Sequence, residues 1–148
     1  MEEVFMMKKI CFVCLGNICR STMAEFVMKS LDDDNSLHIE SRGTSNWEHG
    51  NPIHLGTQKI LKKYDIPFDA SKTSMQILEK DLQDFDLIIG MDERNVLDLL
   101  TLSKGRWDEK IHLFLDKGVP DPWYTGDFEE TYDLVSKGCR RWLTTLGK

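Results

Sequence analysis

The residues best suited to chemistry are concentrated in one short segment near the start of the chain. Residues 14–21 read CLGNICRS and place two cysteines and an arginine in a polar stretch. A thiolate is a strong nucleophile, and a guanidinium forms bidentate hydrogen bonds to phosphate. The spacing CxxxxxR lets the chain curl so that backbone N–H groups surround an anion held by Arg20. The segment therefore predicts an oxyanion-binding loop with Cys14 as its nucleophile.

The residue types inside this loop fit such a curl. Gly16 and Asn17 tolerate the left-handed backbone that a tight loop requires. A helix that begins near Ser21 would direct its N-terminus at the anion and favour the thiolate form of Cys14. The Ser21 hydroxyl can add a further donor. This arrangement suits attack on a phosphate monoester, a covalent phosphocysteine, and its hydrolysis by water.

A second segment offers the proton that the leaving group needs. Residues 121–124 read DPWY and follow the last predicted strand, so Asp121 approaches the same carboxyl edge of the sheet. An aspartate before proline is commonly a turn former. Its combination with the cysteine loop favours a second interpretation, in which Asp121 is a general acid and then a general base.

The elements that must position these residues alternate between strands and helices. Buried-strand patterns cover residues 8–13, 37–41, 85–91 and 110–114. Helical patterns cover residues 21–31, 53–64, a segment capped by Asp92, and 128–146, with surface loops at 43–52 and 115–127. We expect a single α/β domain over residues 1–148, built on a four-stranded parallel sheet with helices on both faces.

Composition and charge exclude several classes of protein. A net charge of −6 argues against nucleic acid as a partner. The longest apolar run has six residues, far below the roughly 20 that span a bilayer, so we expect no membrane segment and a cytoplasmic location. Cys11 and Cys14 have zinc-like CxxC spacing, but no second pair of ligands accompanies them. The chemistry requires neither a metal nor another cofactor.

Three stretches resemble a known family, the low-molecular-weight protein tyrosine phosphatases. CLGNICRS is similar to the family's catalytic loop, DPWY to its acid loop, and FDLIIGMDERN to an internal strand-to-helix segment. The resemblance covers nearly the whole chain. It implies that Cys14 is the nucleophile, Arg20 the phosphate clamp and Asp121 the acid, with Asn17 organising the loop and Ser21 stabilising the thiolate.

The resemblance also implies a substrate pocket. Trp47 is similar to one aromatic wall, Trp123 and Tyr124 stand opposite, and the remaining loop residues contact the substrate: Leu15, Gly16, Ile18 and Cys19. Three aromatic side chains suit a flat aryl group. The implied substrates are phosphotyrosine proteins and small aryl phosphates, with inorganic phosphate or a similar oxyanion in the loop and a monomeric enzyme. In many members the second loop cysteine forms a reversible disulfide with the nucleophile.

Two residues depart from the pattern of the family that the chain resembles. Lys72 and Met75 stand where the family often has histidine and arginine, so we expect a different hydrogen-bond network around Asn17.

A thiol-dependent arsenate reductase on the same fold would need further cysteines, and residues 72–98 contain none. Protein arginine phosphatases resemble one another in a threonine where this chain has Ile18, which favours phosphotyrosine. A module that binds phosphotyrosine without turnover would not need the intact catalytic set.

Overall fold

A four-stranded parallel sheet forms the centre of the molecule. The computed structural model describes residues 8–148. Its strands are β1 (Lys8–Cys14), β2 (Leu37–Gly43), β3 (Leu87–Gly90) and β4 (Ile111–Leu113), in the order β2-β1-β3-β4. All three neighbouring pairs are parallel. The predicted fold class is confirmed, while residues 1–7 of the predicted domain lie outside the described residues.

Helices cover both faces of this sheet. They are α1 (Arg20–Leu31), α2 (Leu55–Lys63), α3 (Glu79–Asp84), α4 (Glu93–Ser103), α5 (Pro122–Thr125) and α6 (Phe128–Thr145), with one 3₁₀ turn at Asp108–Lys110. Helices α1 and α6 pack against each other on one face, whereas α3 and α4 lie on the other. Within residues 8–148, every helix is too short or too polar to cross a membrane.

The central position of β1 explains its sequence. Because side chains alternate across a strand, Ile10 and Phe12 enter the core beneath α1 and α6, while Cys11 and Val13 enter the core beneath α3 and α4. All four side chains are fully buried. A strand buried on both faces reads as a continuous apolar run, which is the pattern that predicted β1.

Two short helices depart from the sequence prediction. Helix α3 begins where the Asp81 carboxylate accepts a hydrogen bond from the backbone N–H of Leu78, and it is too short to show helical periodicity. Helix α5 lies within residues 115–127, which the composition predicted to be an irregular surface loop. Val119 in that stretch is also buried, because its side chain packs into the core, and its N–H donates to the carbonyl of Met91. The prediction was therefore wrong for this part of the segment.

The parallel arrangement gathers four loops at one edge of the sheet. Strand β1 ends at Cys14, which is in register with Gly43 at the end of β2. The ends of β3 and β4 lead to Asp92 and to the segment that carries Asp121. Ligands of such sheets bind beyond the carboxyl ends of the strands. The fold therefore presents the predicted chemical residues at one place.

Candidate active site

The loop after β1 wraps around the Cys14 thiol. The Sγ atom lies 3.0 Å from Ser21 Oγ and accepts a hydrogen bond of 3.3 Å from the backbone N–H of Asn17. Asn17 has φ = 57°, the left-handed conformation that its residue type predicted. Gly16 does not share that conformation. A Cβ atom at this position would lie 3.3 Å from Glu48 Cγ, so glycine avoids a tight contact there.

Asn17 fastens this loop to the rest of the molecule. Its side-chain Nδ2 donates to Ser21 Oγ at 2.9 Å and to Ser41 Oγ at 3.0 Å. Its Oδ1 accepts from the backbone N–H of Met75 at 3.0 Å. Asn17 is almost completely buried, so these bonds are shielded from water. The side chain therefore connects the nucleophile's hydroxyl neighbour to β2 and to the segment before α3.

The network continues through Lys72, one of the two positions where the sequence departs from the family that it resembles. Ser41 donates to Glu25 Oε1 at 2.6 Å, and Lys72 Nζ lies 3.7 Å from the same oxygen. Lys72 also donates to the Ser41 carbonyl at 3.0 Å. Burial lowers the pKa of Lys72, although the Glu25 carboxylate opposes that shift. Met75, the other departure, contributes its backbone N–H, while its side chain is largely exposed.

Arg20 is held in place from two sides. Its Nη1 donates to Asp92 Oδ2 at 2.6 Å and to the Val119 carbonyl at 3.0 Å. Its Nη2 lies 3.3 Å from Asp121 Oδ2. Burial opposes the charge, but Cys14, Asp92 and Asp121 outweigh it and raise the pKa of Arg20. The guanidinium is thus a fixed cation beside Cys14.

The two carboxylate oxygens of Asp121 have different partners, one in the backbone of α5 and one in the pocket. One carboxylate oxygen, Oδ1, caps α5 by accepting from the N–H of Trp123 at 3.0 Å. The other, Oδ2, faces Arg20. Pro122 occupies the first turn of α5, where its missing N–H costs nothing. Asp121 therefore lies in a turn, as its place before proline predicted, and also lines the pocket, where the predicted general acid would have to lie.

These residues surround a small pocket of about 160 Å³. Its lining comprises Cys14, Leu15, Gly16, Ile18, Cys19, Arg20, Trp47, Glu48, Asp121, Trp123 and Tyr124. The three aromatic residues form its rim and are 76%, 57% and 78% exposed, respectively, whereas Cys14 is only 3% exposed at its base. Asn17 and Ser21, predicted among the substrate contacts, do not line the pocket and have buried side chains.

Two residues of the site were missed by sequence reasoning. Asp92 was assigned only a capping role, yet its second oxygen binds Arg20. Its position directly after β3, the neighbour of β1, is the signal that could have identified it. Glu48 lines the pocket beside Trp47. It lies in a loop whose course no periodic pattern determines, so the sequence offered no comparable signal.

The remaining cysteines differ from Cys14 in their surroundings. Burial, followed by the charges of Cys14 and Asp121, raises the pKa of Cys19 to about 12. Burial likewise raises the pKa of Cys11 and of Cys139, both fully enclosed. All four cysteines are free thiols. Across residues 8–148, His, Cys, Asp and Glu side chains form no cluster of three that could hold a metal ion.

The fold and site together define a class of protein. Residues 9–148 match the family described as low molecular weight phosphotyrosine protein phosphatase. Since the match spans nearly the whole chain, the chain belongs to this family and is a phosphatase, an enzyme that hydrolyses phosphoric monoesters.

Particular relatives resemble the chain over almost its full length. It is 40% identical to the low molecular weight protein-tyrosine-phosphatase YfkJ of Bacillus subtilis, covering 96% of this chain and 97% of the relative. It is 42% identical to PtpA of Staphylococcus aureus, covering 90% of each. Among solved structures, SP-PTP from Streptococcus pyogenes has a TM-score of 0.93 and 64% identity, covering 95% of this chain and 93% of that one.

Proposed function

We propose that this protein hydrolyses phosphotyrosine in proteins, and small aryl phosphates, through a phosphocysteine formed on Cys14. One observation carries the proposal: Cys14, Arg20 and Asp121 line a single pocket whose rim is aromatic. A nucleophile, a phosphate-binding cation and a proton donor are the groups that this reaction needs. Their roles follow from their positions in that pocket.

The phosphate would sit on the loop between Cys14 and Arg20. Asp92 and the Val119 carbonyl occupy Arg20 Nη1, and Asp121 Oδ2 lies 3.3 Å from Nη2, so Nε and the remaining N–H of Nη2 are left to form hydrogen bonds to phosphate oxygens. Backbone N–H groups of the loop and the N-terminus of α1 supply the other donors. These donors stabilise the charge that spreads over the equatorial oxygens during transfer. Inorganic phosphate, the product, binds to the same donors.

In the first step the Cys14 thiolate attacks phosphorus. An S–P bond forms while the bond between phosphorus and the phenolic oxygen breaks. The Asp121 carboxyl gives its proton to the departing oxygen, so that tyrosine leaves as a neutral phenol. Ser21 and the N–H of Asn17, both in hydrogen-bond contact with Sγ, stabilise the thiolate before attack.

In the second step water hydrolyses the phosphocysteine. The Asp121 carboxylate, now deprotonated, accepts a proton from water as its oxygen attacks phosphorus. The S–P bond breaks, the thiolate of Cys14 is restored and inorganic phosphate departs. Arg20 holds the phosphoryl oxygens in both steps, so one set of donors serves two transition states.

The pocket favours an aryl phosphate over an alkyl one. Cys14 lies buried at the base, while Trp47, Trp123 and Tyr124 stand exposed at the rim. A phenyl ring spans that depth and stacks against the aromatic walls, whereas the short arm of phosphoserine does not reach as far. Ile18, which is buried in the lining, presents an apolar surface to the ring.

The site and the cysteines support a monomeric enzyme in the cytoplasm. One chain supplies all of the proposed catalytic groups, which suits a monomer. Four free thiols suit a reducing compartment, and a nucleophile that must stay reduced suits the cytoplasm.

The test is steady-state hydrolysis in EDTA of p-nitrophenyl phosphate and of a phosphotyrosine peptide. We expect wild type to cleave both and Cys14→Ser to cleave neither. Asp121→Asn should slow peptide cleavage by about 10²–10⁴-fold and p-nitrophenyl phosphate less, because the better leaving group depends less on a proton donor. Asp116→Asn, an exposed aspartate in the same connecting stretch, is the matched control and should retain wild-type rates.

Rival activities are measured on the same preparations. A wild type that cleaves phosphoarginine but not phosphotyrosine would replace the substrate assignment. Thiol-dependent reduction of arsenate without any ester cleavage would show that the protein is an arsenate reductase and would refute the proposed phosphatase reaction. Full activity of Cys14→Ser would eliminate the covalent mechanism.

A further inference from the structure

A second concavity lies directly beside the active-site pocket. It has a volume of about 590 Å³. Its lining comprises Leu15, Thr44, Ser45, Trp47, Gln76, Ile77, Arg94, Asp98, Thr101 and Leu102. We call it the flanking groove. Leu15 and Trp47 line both the pocket and the groove, so a single wall of two side chains separates them.

The walls of the flanking groove are built before any ligand arrives. The segment before α3 pairs with the end of β2: Gly43 N–H donates to the Met75 carbonyl, and Ile77 N–H donates to the Gly43 carbonyl, both at 2.8 Å. Gln76 Nε2 donates to the Thr44 carbonyl at 3.1 Å. A preformed surface binds without the cost of ordering itself.

The active-site pocket alone cannot hold a protein substrate. Its volume of about 160 Å³ is sufficient for a phosphorylated ring, whereas pockets that enclose whole ligands have roughly 300–1,000 Å³. The chain on either side of the phosphotyrosine must therefore lie on the surrounding surface. An extended residue advances about 3.3–3.6 Å, so residues one to three positions away reach past the wall formed by Leu15 and Trp47.

We propose that the flanking groove binds the polypeptide next to the phosphotyrosine and selects its sequence; this rests on the proposed function. Leu15, Trp47, Ile77 and Leu102 give the groove an apolar side that accepts an aliphatic or aromatic residue of the substrate. Burial of such a side chain supplies binding energy that a small aryl phosphate cannot obtain. The groove is therefore a specificity site for peptides and proteins.

Arg94, which lines the groove together with Asp98, adds a charge preference. Its side chain is 80% exposed and contacts Asp98 only through Nε, at 3.4 Å. Within residues 8–148 its two terminal nitrogens form no hydrogen bond, so they are free to bind a carboxylate of the substrate. The preferred substrate carries an apolar residue close to the phosphotyrosine and an acidic residue beyond it.

The experiment compares p-nitrophenyl phosphate with phosphotyrosine peptides that carry leucine and glutamate, or alanine alone, at the flanking positions on each side. Arg94→Glu reverses the charge, and Thr101→Trp fills the groove from an exposed position of α4. We expect each variant to raise KM for the leucine–glutamate peptide by about three- to tenfold with kcat unchanged, since contacts remote from the phosphate bind ground and transition states alike. Both should cleave p-nitrophenyl phosphate as wild type does.

Arg140→Glu is the matched control, because it makes the same charge change at an exposed position of α6 outside the groove. It should leave KM for every substrate unchanged. Equal KM values for the two peptides with wild type, or an unchanged KM in both groove variants, would overturn the proposal. A wild type that cleaves none of the esters would refute the proposed function instead, and the two failures are therefore distinct.

Discussion

One carboxylate oxygen of Asp92 caps helix α4, and the other binds Arg20 in the active site. Oδ1 accepts a hydrogen bond from Asn95 N–H at 2.8 Å and caps α4, while Oδ2 binds Arg20 Nη1 at 2.6 Å. The Asn95 side chain completes the cap by accepting from the N–H of Asp92 at 3.1 Å. Arg20 is thus oriented by a residue that is itself fixed at a helix N-terminus. The consequence is that an aspartate outside the pocket lining controls the phosphate clamp.

Asp92→Asn separates these two functions. Asparagine caps a helix as well as aspartate does, so α4 should keep its start. The charge-assisted bond to Arg20 is lost, and such bonds contribute about 1.5–3 kcal/mol, which corresponds to a decrease of roughly 10- to 100-fold in kcat/KM. Steady-state kinetics with p-nitrophenyl phosphate measure the decrease, and thermal unfolding verifies the fold. A rate equal to that of an Asp108→Asn control would refute this role.

The sequence could predict those site residues whose geometry is local. Cys14, Arg20 and the loop between them lie within one turn and the start of one helix, so their spacing contains the geometry. Asp121 required only the knowledge that parallel strands end at one edge. The same knowledge could have identified Asp92, which follows β3 at that edge, but the sequence analysis assigned it only a capping role. Glu48 was not predicted because its contact with the pocket depends on how separate loops pack, which no local pattern encodes.

At the scale of elements, α6 approaches the sheet through a glycine. A Cβ atom at Gly138 would lie 2.2 Å from Cε2 of the Phe114 ring, far inside van der Waals contact. That ring is confined, since it packs edge-on against Phe12 with centroids 5.8 Å apart. The Phe114 carbonyl also accepts from Trp142 Nε1 at 2.9 Å. Close contact between α6 and the end of β4 therefore requires a residue without a side chain.

Gly138→Ala should destabilise the protein despite the higher helix propensity of alanine. Propensity favours alanine by about 1 kcal/mol, but overpacking a confined aromatic ring typically costs about 1–3 kcal/mol and can exceed it. Thermal unfolding should give a lower Tm than wild type. Lys137→Ala, at the neighbouring exposed position of the same helix, should not lower it. An unchanged Tm for Gly138→Ala would mean that Phe114 can move aside.

Long elements were predictable and short ones were not. The apolar stripe of α6 repeats over several helical turns, so its period is recognisable in the sequence. Strand β1 is recognisable from a continuous run of apolar residues. Helices α3 and α5 have six and four residues, too few for a period to show. Capping by Asp81 and Asp121 maintains them, and an aspartate alone does not distinguish a cap from a turn.

At the scale of the whole molecule, folding keeps three buried thiols protonated. Burial raises the pKa of Cys11, Cys19 and Cys139 above the value of about 8.5 expected in an unfolded chain. Above that pH the unfolded chain releases protons that the folded protein retains. The unfolded state then binds fewer protons, so the free energy of unfolding contributed by these groups decreases as pH rises. Below about pH 8.5 their contribution is fully present.

Cys139→Ala should flatten this alkaline decline. Removing one buried thiol removes at most about 1.4 kcal/mol per pH unit from the slope of unfolding free energy above pH 9. Urea unfolding in reductant at pH 7, 9 and 10 measures the slope. Ser136→Ala, which removes a hydroxyl from the same helix without removing a titrating group, should keep the wild-type slope. An identical slope for Cys139→Ala would show that the thiol remains protonated in both states.

The partners of Arg20 also determine when activity can first appear during synthesis. Arg20 emerges from the ribosome early, but Asp92, Val119 and Asp121 lie 72, 99 and 101 residues further along the chain. A nascent chain that already carries Cys14 therefore lacks both the proposed proton donor and the residues that hold Arg20. The site is assembled only after residue 121 has been synthesised, so shorter nascent chains cannot dephosphorylate the proteins around them.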